Sequence, residues 1–310
     1  MTTPFKDRKP ASAAILPRGE QGWRAWMLAI RVPTLSAAVV PVLVGTALAI
    51  RNHCATALVF LAILCAALAI QIGTNLTNDL FDFQKGADTA ARLGPVRVVQ
   101  AGLLSQKQVA AASVLSFGVA AALGLYLVRV GGWPILAVGV FAIVSGIAYT
   151  AGPWPLGYHG LGDVFVFVFF GLAAVMGTFY LYSGIVTGEV LLASLPVAML
   201  VTAILVVNNL RDIDTDRKAG KRTLAVRLGS QATCFQYSIL VLGAYLAAAA
   251  MWISGASPVW VLLTWLTLPL GLRLVRDVWR DRGAPLNLAL RLTAGLHLVF
   301  GVVLAAGLLL

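Results

Sequence analysis

Asn75-Leu-Thr-Asn78-Asp79-Leu-Phe-Asp82-Phe-Gln-Lys85-Gly86-Ala-Asp88 closes an apolar run at 57–78. Asn208-Asn209-Leu-Arg211-Asp212-Ile-Asp214-Thr-Asp216-Arg217-Lys218 closes another at 188–209. A helix needs about 20 apolar residues to cross a bilayer, so each stretch reads as the place where a membrane helix meets water. Outward from these two, further apolar runs lie near 25–50, 107–128, 132–150, 161–183, 234–254, 258–276 and 288–310. Turn residues separate them, among them Gly131-Gly132 and Gly152-Pro153. The expected architecture is an all-α integral membrane protein, a bundle of nine transmembrane helices. It has a polar arm over 1–22 and a single membrane domain over 23–310.

Composition agrees. Of 310 residues, 60% are hydrophobic and only 11% charged, too few charges to cover a soluble surface of this size. The net charge of +11 does not point to nucleic acid, because the basic residues cluster between apolar runs. Placing the N-terminus in the cytoplasm puts 21 of the 23 Lys and Arg on the cytoplasmic side, with Arg51 and Arg129 opposite. The positive-inside rule thus predicts N-in and C-out. It also puts both Asp-bearing stretches on the cytoplasmic rim, in a bacterial inner membrane. Cys54, Cys65 and Cys234 have no metal spacing and read as small hydrophobes. The first twenty residues are polar and basic, and the first apolar run continues into a full span. No cleavable signal peptide is expected.

Six of the twelve acidic residues fall in 79–88 and 212–216. If helix continues through them, Asp79 and Asp82 share a face, as do Asp212 and Asp216. Asn75 precedes Asp79 by one turn, and Asn208 precedes Asp212 by one turn. Carboxylates stacked this closely repel unless a cation lies between them, and hard oxygen ligands suit Mg²⁺ bound together with substrate phosphates. A single such loop is most simply a solvated charge run. The same Asn-then-Asp order twice is harder to explain that way. Basic residues follow each stretch: Lys85, Arg92 and Arg97 the first, Arg217, Lys221 and Arg222 the second. Carboxylates, a divalent cation and basic side chains together are what a diphosphate requires.

Between the fourth and fifth runs, Tyr149 to Asp163 contains no Lys or Arg but two Tyr, a Trp and His159. An uncharged aromatic loop beside two charged ones suits a cover over an apolar or aromatic substrate. Asp163 is equally explained as a helix N-terminal acid or as a functional group, and His159 as a loop residue. Arg31 either snorkels to the interface or binds an anionic group.

These residues resemble a known family. Asn78-Asp79-x-x-Asp82-x-x-x-Gly86-x-Asp88, with the later Asp212-x-x-x-Asp216, is similar to the two Asp-rich motifs of the UbiA superfamily of intramembrane prenyltransferases. Three further stretches look like its branch acting on 1,4-dihydroxy-2-naphthoate: Lys85 through Pro95, Tyr149 through Asp163, and Asn208 through Leu224. The resemblance implies a UbiA-like bundle that transfers a polyprenyl group from polyprenyl diphosphate to 1,4-dihydroxy-2-naphthoate or a related aromatic acid, giving demethylmenaquinone. It implies Mg²⁺ held by Asp79, Asp82, Asp88, Asp212 and Asp216. The diphosphate would be met by Arg31, Asn75, Asn78, Lys85, Arg92, Arg97, Asn208, Asn209, Arg211, Lys221 and Arg222. Tyr149, Tyr158 or Asp163 would orient the ring or take its proton. Many members carry a third Asp where this chain has Gly86. Rival readings are a relative acting on 4-hydroxybenzoate or homogentisate, a magnesium-dependent lipid phosphotransferase, and an ion-coupled transporter. A transporter would place ionisable groups near mid-bilayer, where these runs have almost none.

Overall fold

The structure is a computed structural model that describes residues 21–86 and 93–310. Every apolar run becomes helix. Eight helical stretches among the described residues are long and apolar enough to cross a bilayer. The ninth, Trp133–Ala148, has 16 residues and spans about 24 Å, short of a bilayer core of about 30 Å. In chain order the helices are α1 (Gln21–Ile30), α2 (Ser36–Arg51), α3 (Ala57–Gln84), α4 (Gln106–Gly131) and α5 (Trp133–Ala148). They continue with α6 (Gly162–Ser183), α7 (Gly188–Arg211), α8 (Ile213–Lys218), α9 (Leu224–Ile253), α10 (Val259–Arg280) and α11 (Leu286–Leu309).

Two elements differ from the sequence expectation. The run 25–50 is broken, not continuous. Arg31 sits in the left-handed region (φ 56°, ψ 61°) and Val32–Leu35 forms a 3-10 turn before α2 begins. Pro33 disfavours helix at the residue before it, and the carbonyl that α1 leaves without a helical partner at Ile30 accepts from Asn75 Nδ2 at 2.8 Å. α9 starts at Leu224, ten residues earlier than its apolar run at 234–254. Thr223 caps it by accepting from Val226 N, and it kinks at Gly229 (φ 81°). Arg227 and this Gly masked the start of the helix.

α7 is the most enclosed of the long helices. Val197, Leu200 and Val207 on it pack with Val44 of α2, Tyr237 of α9 and Phe300 of α11 in the main core. Leu76, Leu80, Val98 and Val99 form a smaller cluster under the rim that carries the acids. Leu115 and Leu125 on α4 and Phe141 on α5 point outward; water would penalise that surface and lipid does not.

α6 has an unusual winding. Val166–Ala173 is π-helix. Phe165, Phe169, Ala173, Gly177 and Leu181 all line the interior cavity. Sixteen residues of plain α-helix would turn Leu181 about 160° away from Phe165. The wider π turns keep the stripe in line along the wall. Gly171 lets α6 lie against Ala198 of α7, where a β-carbon on residue 171 would overlap it. Gly171→Ala is expected to destabilise the fold by about 1–3 kcal/mol, read as a lower midpoint of thermal unfolding in detergent. An unchanged midpoint would mean the two helices separate freely.

Candidate active site

The helix ends build one polar wall. α3 stays helical past Asp79 and Asp82, so the expected i, i+3 stripe forms. α7 ends at Arg211, and Asp212 leaves helical geometry (φ −97°, ψ 7°) before α8. The chain still closes one turn there, with Asp216 N donating to Asp212 O at 2.8 Å. Asp79, Asp82, Asp212 and Asp216 all line a single cavity of about 810 Å³. Its mouth also carries Arg31, Arg97, Tyr149, Tyr158, Lys221 and Arg291, and its depth is apolar, with Val42, Ile63, Ile143, Phe169 and Phe170.

Asp82 is the electrostatic hub. Arg97 Nη2 donates to its Oδ2 at 3.3 Å, while Lys221 Nζ (3.0 Å) and the Tyr158 hydroxyl (2.8 Å) donate to its Oδ1. Buried to 3% exposure, the carboxylate is compensated by two cations, as a low-dielectric site requires. Asp79 Oδ2 accepts from Val98 N at 3.1 Å. The segment after the first stretch is thereby folded back across both acids. Lys85 Nζ (5.1 Å) and Lys221 Nζ (4.7 Å) both lie over the Tyr158 ring at cation–π distance. Arg222 N donates to Tyr158 O, which ties the aromatic loop to the second charged one.

Several nominated residues do other work. Lys85 donates to the backbone oxygens of Thr150 (2.7 Å) and Gly152 (3.1 Å) and lies outside the cavity wall, so it braces the aromatic loop. Burial pulls its ammonium below the usual lysine range, with Lys221 adding to this and Asp82 opposing it. Arg211 grips Asp212 with two bonds (2.9 and 2.6 Å) and also Asn208 and Asn287; its position is structural, at the back of the acid. Arg222 is exposed and its side chain is not in the wall. Asn75 lines the cavity, but its amide holds the α1–α2 break, and Asn78 Oδ1 accepts from Thr150 at 2.8 Å. Asn209 lines the cavity beside Asn208.

Asp163 is not in the cavity wall. Nor is it an N-cap, a position held by Leu161. It sits buried at the head of α6, its Oδ2 accepting from Gln236 Nε2 at 3.2 Å. Tyr149 remains at the mouth. Burial raises its phenol above the usual tyrosine range, and Asp163, Asp82 and Asp216 add to this while Arg31 opposes it. Tyr149 therefore stays protonated and able to donate. His159 is a loop residue, stacked on Trp154 and bonded through Nδ1 to Pro155 O. Asp88 and Arg92 lie outside the described residues. Sequence reasoning missed Arg291, which it counted as loop charge; a lone Arg inside an apolar helix was the available signal.

Among the described residues no three carboxylates, imidazoles or thiols converge on one metal position. The donors on the wall are hard Asp and Asn oxygens. Such a set fits Mg²⁺, which completes its shell with water and phosphate oxygens.

The sequence profile of the UbiA prenyltransferase family matches residues 38–308. The chain belongs to this family. As a member of it, the protein is an integral membrane prenyltransferase. The 1,4-dihydroxy-2-naphthoate octaprenyltransferase of Bacillus subtilis is 34% identical over 292 residues, 92% of this chain and 92% of that one. The Escherichia coli protein of the same name is 36% identical over 265 residues, 83% of this chain and 86% of the relative. A solved UbiA homologue from Aeropyrum pernix shares the fold, with TM-score 0.67 at 17% identity over 90% of this chain and 97% of that one. A homologue from Archaeoglobus fulgidus, solved bound to GPP and Mg²⁺, gives 0.64 at 13% identity over 91% and 99%.

Proposed function

We propose that this UbiA-family prenyltransferase transfers a polyprenyl group from its diphosphate to 1,4-dihydroxy-2-naphthoate, on the cytoplasmic face of a bacterial inner membrane. The observation that carries this reading is the single cavity joining four carboxylates and several cations at its mouth to an apolar depth. That gradient matches a substrate with an anionic head and an isoprenoid tail. The names of the relatives support the acceptor, and the 21-to-2 split of Lys and Arg supports the side.

In this reading Asp79, Asp82, Asp212 and Asp216 hold Mg²⁺ directly or through water. When bound, Mg²⁺ neutralises the diphosphate and makes it a better leaving group. Arg31, Arg97 and Lys221 stabilise the charge that gathers on the departing oxygens. The prenyl C1–O bond breaks with its electron pair leaving on the diphosphate, and the ring carbon that bears the carboxylate forms the new bond to C1. Loss of the carboxylate as CO₂ restores the aromatic ring and yields demethylmenaquinone in its hydroquinone form. Tyr149, neutral and donating, orients the ring, and Tyr158 holds Asp82 and Lys221 in place.

The test is an assay of membranes carrying the protein, with Mg²⁺, a polyprenyl diphosphate and competing aromatic acids. Prenylated naphthoquinol is expected from 1,4-dihydroxy-2-naphthoate alone. Preference for 4-hydroxybenzoate or homogentisate would overturn the acceptor, and a phosphodiester product would overturn the reaction.

A further inference from the structure

A second cavity, of about 330 Å³, opens on the outside of the bundle and shares no residue with the first. Its wall is Arg273, Arg276, Asp277 and Arg280 of α10, with Pro285 and Leu288 across from them at the start of α11. Spaced i, i+3 and i+7, the three arginines fall within about 60° of one another around the helix and make one stripe. The nearby carboxylates compensate this charge only in part. Asp277 meets Arg273 and Arg280 at 3.5 Å each, long for charge-assisted bonds. Asp281 takes Arg280 at 2.9 Å. Among the described residues Arg276 has no ion-pair or hydrogen-bond partner.

Arg280 is explained by its place in the last turn of α10, where a cation suits the helix dipole. Arg276 and Arg273 are not; they stand about one and two turns earlier. Arg273 lies about 10 Å of helix before Arg280, inside a stretch apolar enough to cross a bilayer. Leu272 and Leu288 beside the stripe are 52% and 48% exposed, and Trp279 is exposed at the same end of the helix, as interfacial aromatic residues are. An anion that meets all three guanidinium groups therefore sits at the membrane surface with apolar matter beneath it. A glycerophospholipid answers that description: its phosphate lies at this depth and its chains continue along the leucines. We propose that Arg273, Arg276 and Arg280 hold the phosphate of an anionic phospholipid headgroup. Guanidinium groups suit phosphate oxygens, and basic pockets between helices on the cytoplasmic side are where such headgroups bind. Asn287 in the first turn of α11 bonds to Arg211 and to Leu93 O, which puts the pocket at the same rim as the acids.

The experiment uses the full-length protein in an uncharged detergent, titrated with phosphatidylglycerol. Native mass spectrometry counts the lipid retained, and the midpoint of thermal unfolding reports the stabilisation that binding brings. Saturable retention of phosphatidylglycerol is expected, with a midpoint that rises as it binds. Phosphatidylcholine, whose headgroup is neutral overall, should bind about tenfold more weakly or worse. Arg276→Gln removes the guanidinium that no carboxylate compensates, so its midpoint without lipid should be native. Its dissociation constant for phosphatidylglycerol is expected to rise about tenfold or more, the loss of a charge-assisted contact. Arg129→Gln takes the same charge from the last turn of α4 and should bind the lipid as the native protein does. Turnover of both variants in phosphatidylcholine is expected to be native, since neither residue lines the reaction cavity.

Equal affinity of the native protein for phosphatidylglycerol and phosphatidylcholine would overturn the inference, leaving an apolar groove flanked by arginines that snorkel to water. Native affinity in a folded Arg276→Gln protein would overturn it too, as would an equal loss in Arg129→Gln. Inorganic phosphate that alone raises the midpoint, at the concentration where phosphatidylglycerol acts, would make the pocket a site for a free anion and remove the lipid. If Arg276→Gln fails to fold, Arg273→Gln decides. Asp277 keeps Arg280 in that variant, and an unchanged affinity would overturn the inference. The proposed reaction stands or falls separately from all of these outcomes.

Discussion

Asp79→Asn is expected to lower turnover about a thousandfold while leaving the protein folded. An amide oxygen at position 79 still accepts from Val98 N, as the carboxylate Oδ2 does at 3.1 Å, so the segment that crosses the acids keeps its anchor. The loss is one unit of negative charge on the cavity wall. Position 79 makes a cleaner experiment than position 82. Asp82 compensates Arg97 and Lys221, so its neutralisation would also release two cations and change the mouth of the cavity. The variant should unfold at the native midpoint in detergent and show weaker stimulation by Mg²⁺ in the assay. Near-normal turnover would remove Asp79 from the metal site.

Asp212→Ala is expected to fail for a second reason as well. The side chain of Arg211 is 0% exposed and Asp212 is its bidentate partner. Removing one member of a buried pair leaves an uncompensated charge, a loss of about 3–5 kcal/mol. For a protein of this size that corresponds to a drop of roughly 10 °C in the unfolding midpoint. Asn208 and Asn287 still bind the guanidinium, but both are neutral. The double variant Arg211→Met with Asp212→Ala should recover most of the stability and none of the turnover. A single variant that unfolds at the native midpoint would show that Arg211 reaches water or another anion. The pair of measurements separates the structural part of the second acidic stretch from its part in the chemistry.

These two positions illustrate what the chain discloses by itself. Asp79 and Asp212 stand out because carboxylates are scarce in a lipid-facing sequence, and their shared Asn-before-Asp order links them across four helices. The helices were equally legible, because bilayer thickness imposes a run length that composition reveals directly. Lys85 and Arg211 show what the sequence does not carry: charge and proximity in sequence do not say whether a cation faces the cavity or the scaffold. Lys85 turns to two backbone carbonyls and Arg211 to its own neighbour, which only the packing of the aromatic loop and of Asn287 decides. Asp163 was left open between a helix N-terminal acid and a functional role; the structure puts it in the first turn of α6, as the former requires, and off the cavity wall. The break at Arg31 was hidden because the hydropathy of 25–50 continues through it.

The π-wound stretch of α6 has one more implication, best put in terms of insertion and deletion. A π turn is a plain helix that has taken in an extra residue. Each residue added to or removed from an α-helix rotates everything beyond it by about 100°. Excising a position from the π stretch would let it relax to plain helix with its flanks in register, whereas excising Met176 from the plain helix beyond it would leave the composition of the wall almost untouched. It would swing Gly177 and Leu181 off the line now held by Phe165 and Phe169, and so exchange the lining of the lower channel for the face that now packs elsewhere. The shape of the greasy half of this cavity is thus encoded in the number of residues along α6 as much as in their kind.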